Sequence, residues 1–205
     1  MVKLINSYMT EADIANIARI STGRKSRADE ELIRFLIQEG HDSCFEHAVM
    51  TFYVEVPIYT ARQWMRHRIG SYTEKSGRYS EMESFDCSFH TADERRKGAP
   101  VMDDALYTVE ETFDLYQTMI SGGVKKEVAR QILPLCTITK FYWTVNLRSL
   151  MNFLSNRMDE HAQADIRENA NEIYKLFERT YPNIAHRWLE RESAFKKFLD
   201  EWRKK

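Results

Sequence analysis

The chain has 205 residues and a formal net charge of −1, with 43% hydrophobic and 12% aromatic residues. This composition is typical of a globular protein and excludes an intrinsically disordered chain, while the near-zero charge provides no global attraction to nucleic acid or to anionic lipid. The length predicts a single domain over residues 1–205, whose core is large enough to need no disulfide or metal.

Cysteine usage and the absence of long apolar runs indicate where the protein works. Cys44, Cys87 and Cys136 lie far apart and form no Cys-x-x-Cys pair, which argues against structural zinc and against a disulfide framework. No signal peptide is visible at the N-terminus, and no apolar run approaches the roughly 20 residues of a membrane span. We expect a cytoplasmic protein with no membrane partner.

Helices and strands alternate along the chain, with helices in the majority, which indicates an α/β fold. Apolar spacing and β-branched or aromatic runs predict strands at 2–9, 48–57 and 136–145. Gly40 is placed to end a helix, Pro57 to open one, and Asn146 to cap one. Helices are predicted at 11–21, 28–40, 58–68, 101–123, 124–133, 147–158, 161–180 and 183–203, with a long ordered loop at 69–100.

The segment "RHRIGSYTEKSGRYS", residues 66–80, concentrates arginine, serine and glycine at the end of a predicted helix. Guanidinium groups match phosphate oxygens in bidentate geometry, and Gly77 lets a ligand approach main-chain N–H groups. The segment therefore favours a phosphate or pyrophosphate ligand, with a solvated basic helix end as the alternative.

The predicted helix "LRSLMNFLSNRM" carries an unusual polar face. Arg148, Asn152, Ser155 and Asn156 share this face opposite the apolar residues, and amides suit the edge of a heterocyclic ring because they both donate and accept. Arg157 falls on the apolar side at the helix end, where it serves either a ligand or the last carbonyls of the helix.

In two other segments the sequence does not decide between a ligand-binding role and a structural role. His41, Asp42, Glu46 and His47 in "GHDSCFEH" are possible metal ligands, although an isolated histidine is more often a packed or capping residue. Arg130 is a lone arginine in an apolar segment, where either an anionic ligand or an internal carboxylate would satisfy it.

These motifs together resemble the flavin-dependent thymidylate synthases. "RHRIGSYTEKSGRYS" fits the signature Arg-His-Arg, seven residues, Ser, and "GHDSCFEH", "ARQWMRHR", "EVARQILP" and "FYWTVNLRSLMNFLSNRMDEHAQ" follow the family in order. The resemblance implies a twisted central sheet flanked by helices and a homotetramer with sites between subunits. It also implies conversion of dUMP to dTMP, with methylenetetrahydrofolate supplying the carbon, NADPH the reducing equivalents and FAD the hydride carrier.

The resemblance also implies which residues bind each ligand, and it gives Arg157 a catalytic role against the uracil ring. The implied dUMP residues are Gln63, Trp64, Met65, Arg66, Glu74, Lys75, Ser76, Gly77, Arg78, Arg130 and Arg157. The implied FAD residues are His41, Ser43, Arg66, His67, Arg68, Glu74, Asn146, Leu147, Arg148 and Asn152. No metal site is implied. The family often has Asn where Thr73 stands, and an apolar residue where Lys75 stands.

Three alternatives bear on this prediction. A metal-dependent nucleotide phosphohydrolase would use His41, Asp42 and His47 and would bind no flavin. A nucleic-acid-binding module would use the basic patch at 66–78, which the net charge of −1 disfavours. Ser76 as a nucleophile would need an activating base, whereas its neighbours are phosphate-binding types and the family works without an enzyme nucleophile.

Overall fold

A computed structural model describes residues 1–21, 23, 27–86 and 99–203. Its sheet is open and antiparallel, in the strand order β1-β2-β4-β3, so that β1 and β3 form the edges. Helices make up the majority, which confirms the predicted α/β fold with a central sheet. The strands are β1 (Val2–Tyr8), β2 (Val49–Pro57), β3 (Ser71–Glu74) and β4 (Ile138–Asn146).

The helices follow most of the predicted positions. In chain order they are α1 (Glu11–Arg19), α2 (Asp29–Gln38), α3 (Ile58–Trp64), α4 (Ala99–Ser121), α5 (Lys126–Ala129), α6 (Leu147–Arg157), α7 (Ala164–Thr180) and α8 (Pro182–Arg203), with short 3-10 helices at Asp42–Glu46 and Arg130–Ile132. Across the described part of the chain, none of these helices is both long and apolar enough to cross a bilayer.

Capping residues set several of these boundaries. Gly40 ends α2 with φ at +69°, and the N–H groups of His41 and Gly40 donate to the carbonyls of Leu36 and Ile37, a glycine-dependent helix stop. The side chain of Asn146 accepts from Ser149 N at 2.8 Å and begins α6, as predicted.

Two sequence predictions of elements were wrong. The predicted loop 69–100 contains strand β3, whose end is joined to β4 by a hydrogen bond from Lys75 N to Lys140 O of 2.8 Å. The predicted helix 124–133 has only one α-helical turn, Lys126–Ala129, because the backbone of Lys125 is extended and a 3-10 turn follows toward Pro134. The rest of the loop prediction, at 87–98, and Cys87 lie outside the described residues.

Two compact units make up the chain, and strands β2 and β4 contribute residues to both. Unit 1 has a core that includes Met82, Tyr116 and Ala129, and unit 2 one that includes Trp143, Phe153 and Trp188. The single domain predicted for residues 1–205 therefore stays a prediction. Unit 1 comprises Met1, Val54–Arg66 and Tyr72–Tyr142, and unit 2 comprises Val2–Tyr53, His67–Ser71 and Trp143–Lys205.

Candidate functional site

Most residues predicted for dUMP lie in unit 1, and most residues predicted for FAD lie in unit 2. The exceptions are Arg157, a dUMP prediction that lies in unit 2, and the shared predictions Arg66 and Glu74, which lie in unit 1. Within unit 1, the predicted residues come from the end of α3, from the chain after β3, and from the 3-10 turn that begins at Arg130.

A tight turn follows β3 in unit 1. The carbonyl of Ser76 accepts from Tyr79 N at 3.1 Å and from Ser80 N at 2.9 Å, and the Ser76 hydroxyl oxygen lies 3.4 Å from Arg78 N. The turn places Ser76, Gly77 and Arg78 together, as a cradle for an anionic group would require.

Gly77 is buried against Arg130 inside this cradle. A Cβ atom at Gly77 would lie 3.2 Å from Arg130 Cδ and 3.4 Å from Met82 Sδ. Two residues predicted separately from sequence, 53 positions apart, are therefore in contact, and the space between them depends on the missing side chain. The Arg130 side chain brings positive charge to the turn at Gly77.

Three basic side chains around the turn, those of Arg78, Lys75 and Lys140, are paired with carboxylates. Arg78 Nε lies 3.7 Å from Glu127 Oε2, and both side chains are exposed. Lys75 Nζ and Lys140 Nζ hold Glu83 at 2.7 and 3.0 Å. Hydrogen bonds from Lys75 and Lys140 hold the pKa of the Glu83 carboxyl at about 2, so this group stays ionised under all ordinary conditions.

Glu74 ends β3 and has a partner on β4. The Thr139 hydroxyl donates to Glu74 Oε1 at 2.6 Å, a short distance typical of a hydrogen bond to a carboxylate. Thr139 is almost completely buried, whereas Glu74 is exposed. One carboxylate oxygen of a predicted ligand residue is thus fixed by the protein.

The residues at the end of α3 differ in what they can offer a ligand. Trp64 is fully buried, its ring packs edge-on against Phe141 with 5.6 Å between centroids, and its carbonyl lies 3.4 Å from the Tyr72 hydroxyl. Any dUMP contact at Trp64 would therefore involve main-chain atoms. Gln63 and Met65 are partly buried, and Arg66 is exposed.

In unit 2, Arg157 and His67 meet. Arg157 Nε donates to His67 Nε2 at 3.0 Å, and the His67 ring packs edge-on against Phe153 with 4.9 Å between centroids. Burial and then the Arg157 charge lower the pKa of His67 to about 4, and burial also lowers the pKa of Arg157. His67 is therefore neutral at pH 7, as an acceptor must be.

Most of the polar face of α6 is exposed. Arg148 and Asn152 lie on this exposed face, whereas the apolar residues of the helix, Leu147 among them, are buried. Arg148 forms an ion pair with Glu46 of the 3-10 helix Asp42–Glu46, and Leu147 N donates to Ala48 O at 3.0 Å. Leu147, like Trp64, would reach a ligand only through its main chain.

The segment with His41 and Ser43 is exposed and lies in the same unit as α6. The His41 ring packs edge-on against Phe35 at 5.7 Å between centroids, and the carboxylate of Asp42 lies 3.6 Å from the Arg191 guanidinium. Within the described ranges, no group of three or more His, Cys, Asp or Glu residues could hold a metal ion. Arg68 is also exposed, directly after His67.

Sequence reasoning missed the residues that support the predicted ones. Thr139 and Glu83 were not identified, and Glu46 was considered only as a metal ligand although it pairs with Arg148. The alternation along β4, in which Thr139, Phe141, Trp143 and Val145 are buried, offered one signal. Most buried hydroxyl groups are hydrogen-bonded, and the partner of Thr139 is Glu74.

Comparisons with known proteins agree on one family. A family model described as Thymidylate synthase complementing protein matches residues 3–183. The chain is 40% identical over 190 residues to the flavin-dependent thymidylate synthase of Thermotoga neapolitana, covering 88% of this chain and 87% of that protein. It is 37% identical over 198 residues to the flavin-dependent thymidylate synthase of Thermosipho africanus, with the same coverage.

A solved structure extends the similarity to the fold. The UMP/dUMP methylase PolB from Streptomyces cacaoi, bound with 5-Br dUMP, matches with a TM-score of 0.81 and 29% sequence identity. The match covers 93% of this chain and 94% of that one.

Proposed function

Since the chain belongs to the Thymidylate synthase complementing protein family, we propose that it converts dUMP to dTMP as a flavin-dependent thymidylate synthase. The enzyme class follows from relatives at about 40% identity and from the methylase structure. We further propose FAD as the flavin, methylenetetrahydrofolate as the carbon donor and NADPH as the reductant. We also propose that the protein is a homotetramer with sites between subunits and that it is cytoplasmic.

The contact between Gly77 and Arg130 carries the proposal for the substrate. A nucleotide monophosphate needs donors and positive charge around its phosphate, and the turn at Ser76–Ser80, which carries the Ser76 hydroxyl, brings Gly77 against the Arg130 side chain. In the proposal, Ser76, Gly77 and Arg78 hold the phosphate of dUMP. Gln63, Trp64, Met65, Arg66, Glu74, Lys75 and Arg130 complete the contacts.

Arg157 is proposed to face the uracil ring as the catalytic residue. Negative charge develops on the pyrimidine during substitution at the ring, and a fixed guanidinium stabilises it. The bond from Arg157 Nε to neutral His67 supports this role because it fixes the guanidinium plane without neutralising its charge. His67 orients the cation and does not itself carry a proton to the substrate.

The chemistry of the exposed α6 face fits a flavin. Asn152 and Arg148 offer amide and guanidinium groups for the ring edge and the pyrophosphate, and Asn146 begins the same helix. His41, Ser43, Arg66, His67, Arg68, Glu74 and Leu147 are proposed to complete the FAD contacts. When bound, the flavin supplies the hydride that the reductive methylation requires.

Ser76 has a structural role in the turn after β3. Its carbonyl closes the turn at Tyr79 and Ser80, and its hydroxyl oxygen lies near Arg78 N. The proposal therefore assigns phosphate binding to Ser76 and covalent attachment of the substrate to no side chain.

The test is dTMP formation by the purified protein with FAD, NADPH, methylenetetrahydrofolate and dUMP, and with each component omitted in turn. We expect product only in the complete mixture, one dTMP for each NADPH oxidised. Release of phosphate from dUMP in the presence of a divalent metal, without dTMP, would contradict the proposal and support the phosphohydrolase alternative.

A further inference from the structure

Thr139 is a polar residue on the buried face of β4. It has 1% of its surface exposed, and its neighbour on the same face, Phe141, is also buried. Valine has the same shape and would occupy the position with no polar group to desolvate. The hydroxyl is explained by the 2.6 Å hydrogen bond that it donates to Glu74 Oε1.

Thr137 provides a comparison for the buried hydroxyl of Thr139. Thr137 lies two positions earlier and is equally buried, and its hydroxyl oxygen has no hydrogen-bond partner among the residues that the structure describes. Burial of threonine on this side of the chain thus does not by itself produce a bond. The bond at Thr139 is specific to the position opposite Glu74.

The backbone at the end of β3 is held independently of this bond. Lys75 N donates to Lys140 O at 2.8 Å, which fixes the chain on the C-terminal side of Glu74. The Thr139 hydroxyl adds a constraint on the side chain, because a glutamate on an exposed edge strand would otherwise sample several rotamers. Thr139 binds Oε1 of Glu74, so Oε2 is left to accept a hydrogen bond from another donor.

We propose that Thr139 is the positioning residue for Glu74, and that it presets the carboxylate for the ligand that Glu74 binds. This inference rests on the proposed function, which assigns Glu74 to dUMP and FAD. Thr139 touches neither ligand in this account; its effect passes through Glu74. Preorganisation of this kind lowers the side-chain entropy that is lost when the ligand binds.

The experiment compares Thr139→Val with the matched control Thr137→Val in the full-length, FAD-loaded protein. Both substitutions replace a buried hydroxyl by a methyl group, but only the first removes a bond to Glu74. Calorimetric titration should show dUMP affinity falling about tenfold in Thr139→Val, since a hydrogen bond to a charged group is lost. Thr137→Val should stay within about twofold of wild type.

Two further variants separate positioning from a general structural effect. Thr139→Ser retains the hydroxyl and should restore most of the affinity. Combining Thr139→Val with Glu74→Ala should weaken binding no more than Glu74→Ala alone, because the two residues act as one unit.

The inference is overturned if wild type binds dUMP and Thr139→Val binds it as tightly as Thr137→Val does. It is also overturned if the losses from Thr139→Val and Glu74→Ala add. If wild type binds neither FAD nor dUMP, the proposed function fails. If wild type binds both and only the variant comparison fails, the inference fails while the proposed function stands.

Discussion

Arg157 Nε donates to His67 Nε2 at 3.0 Å, which joins the last turn of α6 to the chain just after α3 across 90 positions of sequence. The acceptor must be unprotonated, and burial together with the Arg157 charge ensures this by lowering the pKa of His67 to about 4. Phe153 packs edge-on against the His67 ring, with 4.9 Å between the ring centroids. The two residues therefore work as a pair.

Replacing Arg157 should separate catalysis from flavin binding. Arg157→Ala removes the cation proposed to face the uracil, so dTMP formation should fall by on the order of 10²–10³ while bound flavin is retained. Arg167→Ala is the matched control, because Arg167 donates to the carbonyls of Glu160 and Ala162 instead. Turnover of Arg157→Ala close to that of the control would contradict the catalytic role.

The depressed pKa of His67 predicts a pH-dependent stability. The unfolded chain takes up a proton at His67 near pH 6.5, whereas the folded protein takes it up only near pH 4. The folded state therefore binds fewer protons between these values, and its stability is complete above about pH 6.5 and falls as the pH drops toward 4. Urea unfolding of wild type and His67→Gln at pH 4.5 and pH 7 measures this.

The carboxylates of the protein titrate in both proteins, so only the difference between them reports on His67. We expect His67→Gln to lose less stability than wild type between pH 7 and pH 4.5. Parallel losses in the two proteins would show that His67 titrates normally in the folded state.

Asn146 allows a helix cap to be separated from a ligand contact. Asn146→Asp keeps the oxygen that accepts from Ser149 N, whereas Asn146→Ala removes it and should lower the free energy of unfolding by about 1 kcal/mol. If Asn146 also donates to FAD, both variants should bind flavin more weakly. Thermal unfolding and flavin titration of the two variants check this, and unchanged flavin affinity in Asn146→Asp would leave Asn146 with the cap alone.

Gly77→Ala should weaken dUMP binding by moving Arg130. The new Cβ would lie 3.2 Å from Arg130 Cδ, which is tighter than ordinary contact, so the Arg130 side chain would have to shift by a few tenths of an ångström. Gly122→Ala, in which the Cβ meets only carbonyls of the preceding helical turn, is the control. Equal dUMP affinity in the two variants would argue against a cradle formed by Gly77 and Arg130.

Local signals in the sequence predicted most elements of the fold. Gly40 and Asn146 act within one turn of chain, so their effects on α2 and α6 were readable from neighbouring residues. Strand β3 was missed because it has only four residues, too few to show a clear alternation although Tyr72 and Thr73 are strand-forming types, and because its pairing with β4 depends on residues such as Lys140 that lie far along the chain.

In the candidate site, too, local features could be predicted from sequence and long-range contacts could not. Motif residues such as Gly77 and Arg130 were identified, but their contact was not, because nothing in the local pattern specifies which distant groups meet. Thr139 was missed for this reason: it lies 65 positions from Glu74, and only the folded sheet brings its hydroxyl to the carboxylate. The assignment of individual residues to dUMP and FAD stays a prediction.

The central claim is tested most directly by the visible absorption spectrum of the purified protein, recorded alone, after addition of FAD, and after addition of dUMP. The account predicts flavin bands that stay with the protein through gel filtration and shift when dUMP is added. A protein that leaves FAD behind on the column, and whose spectrum dUMP does not change, would contradict the account.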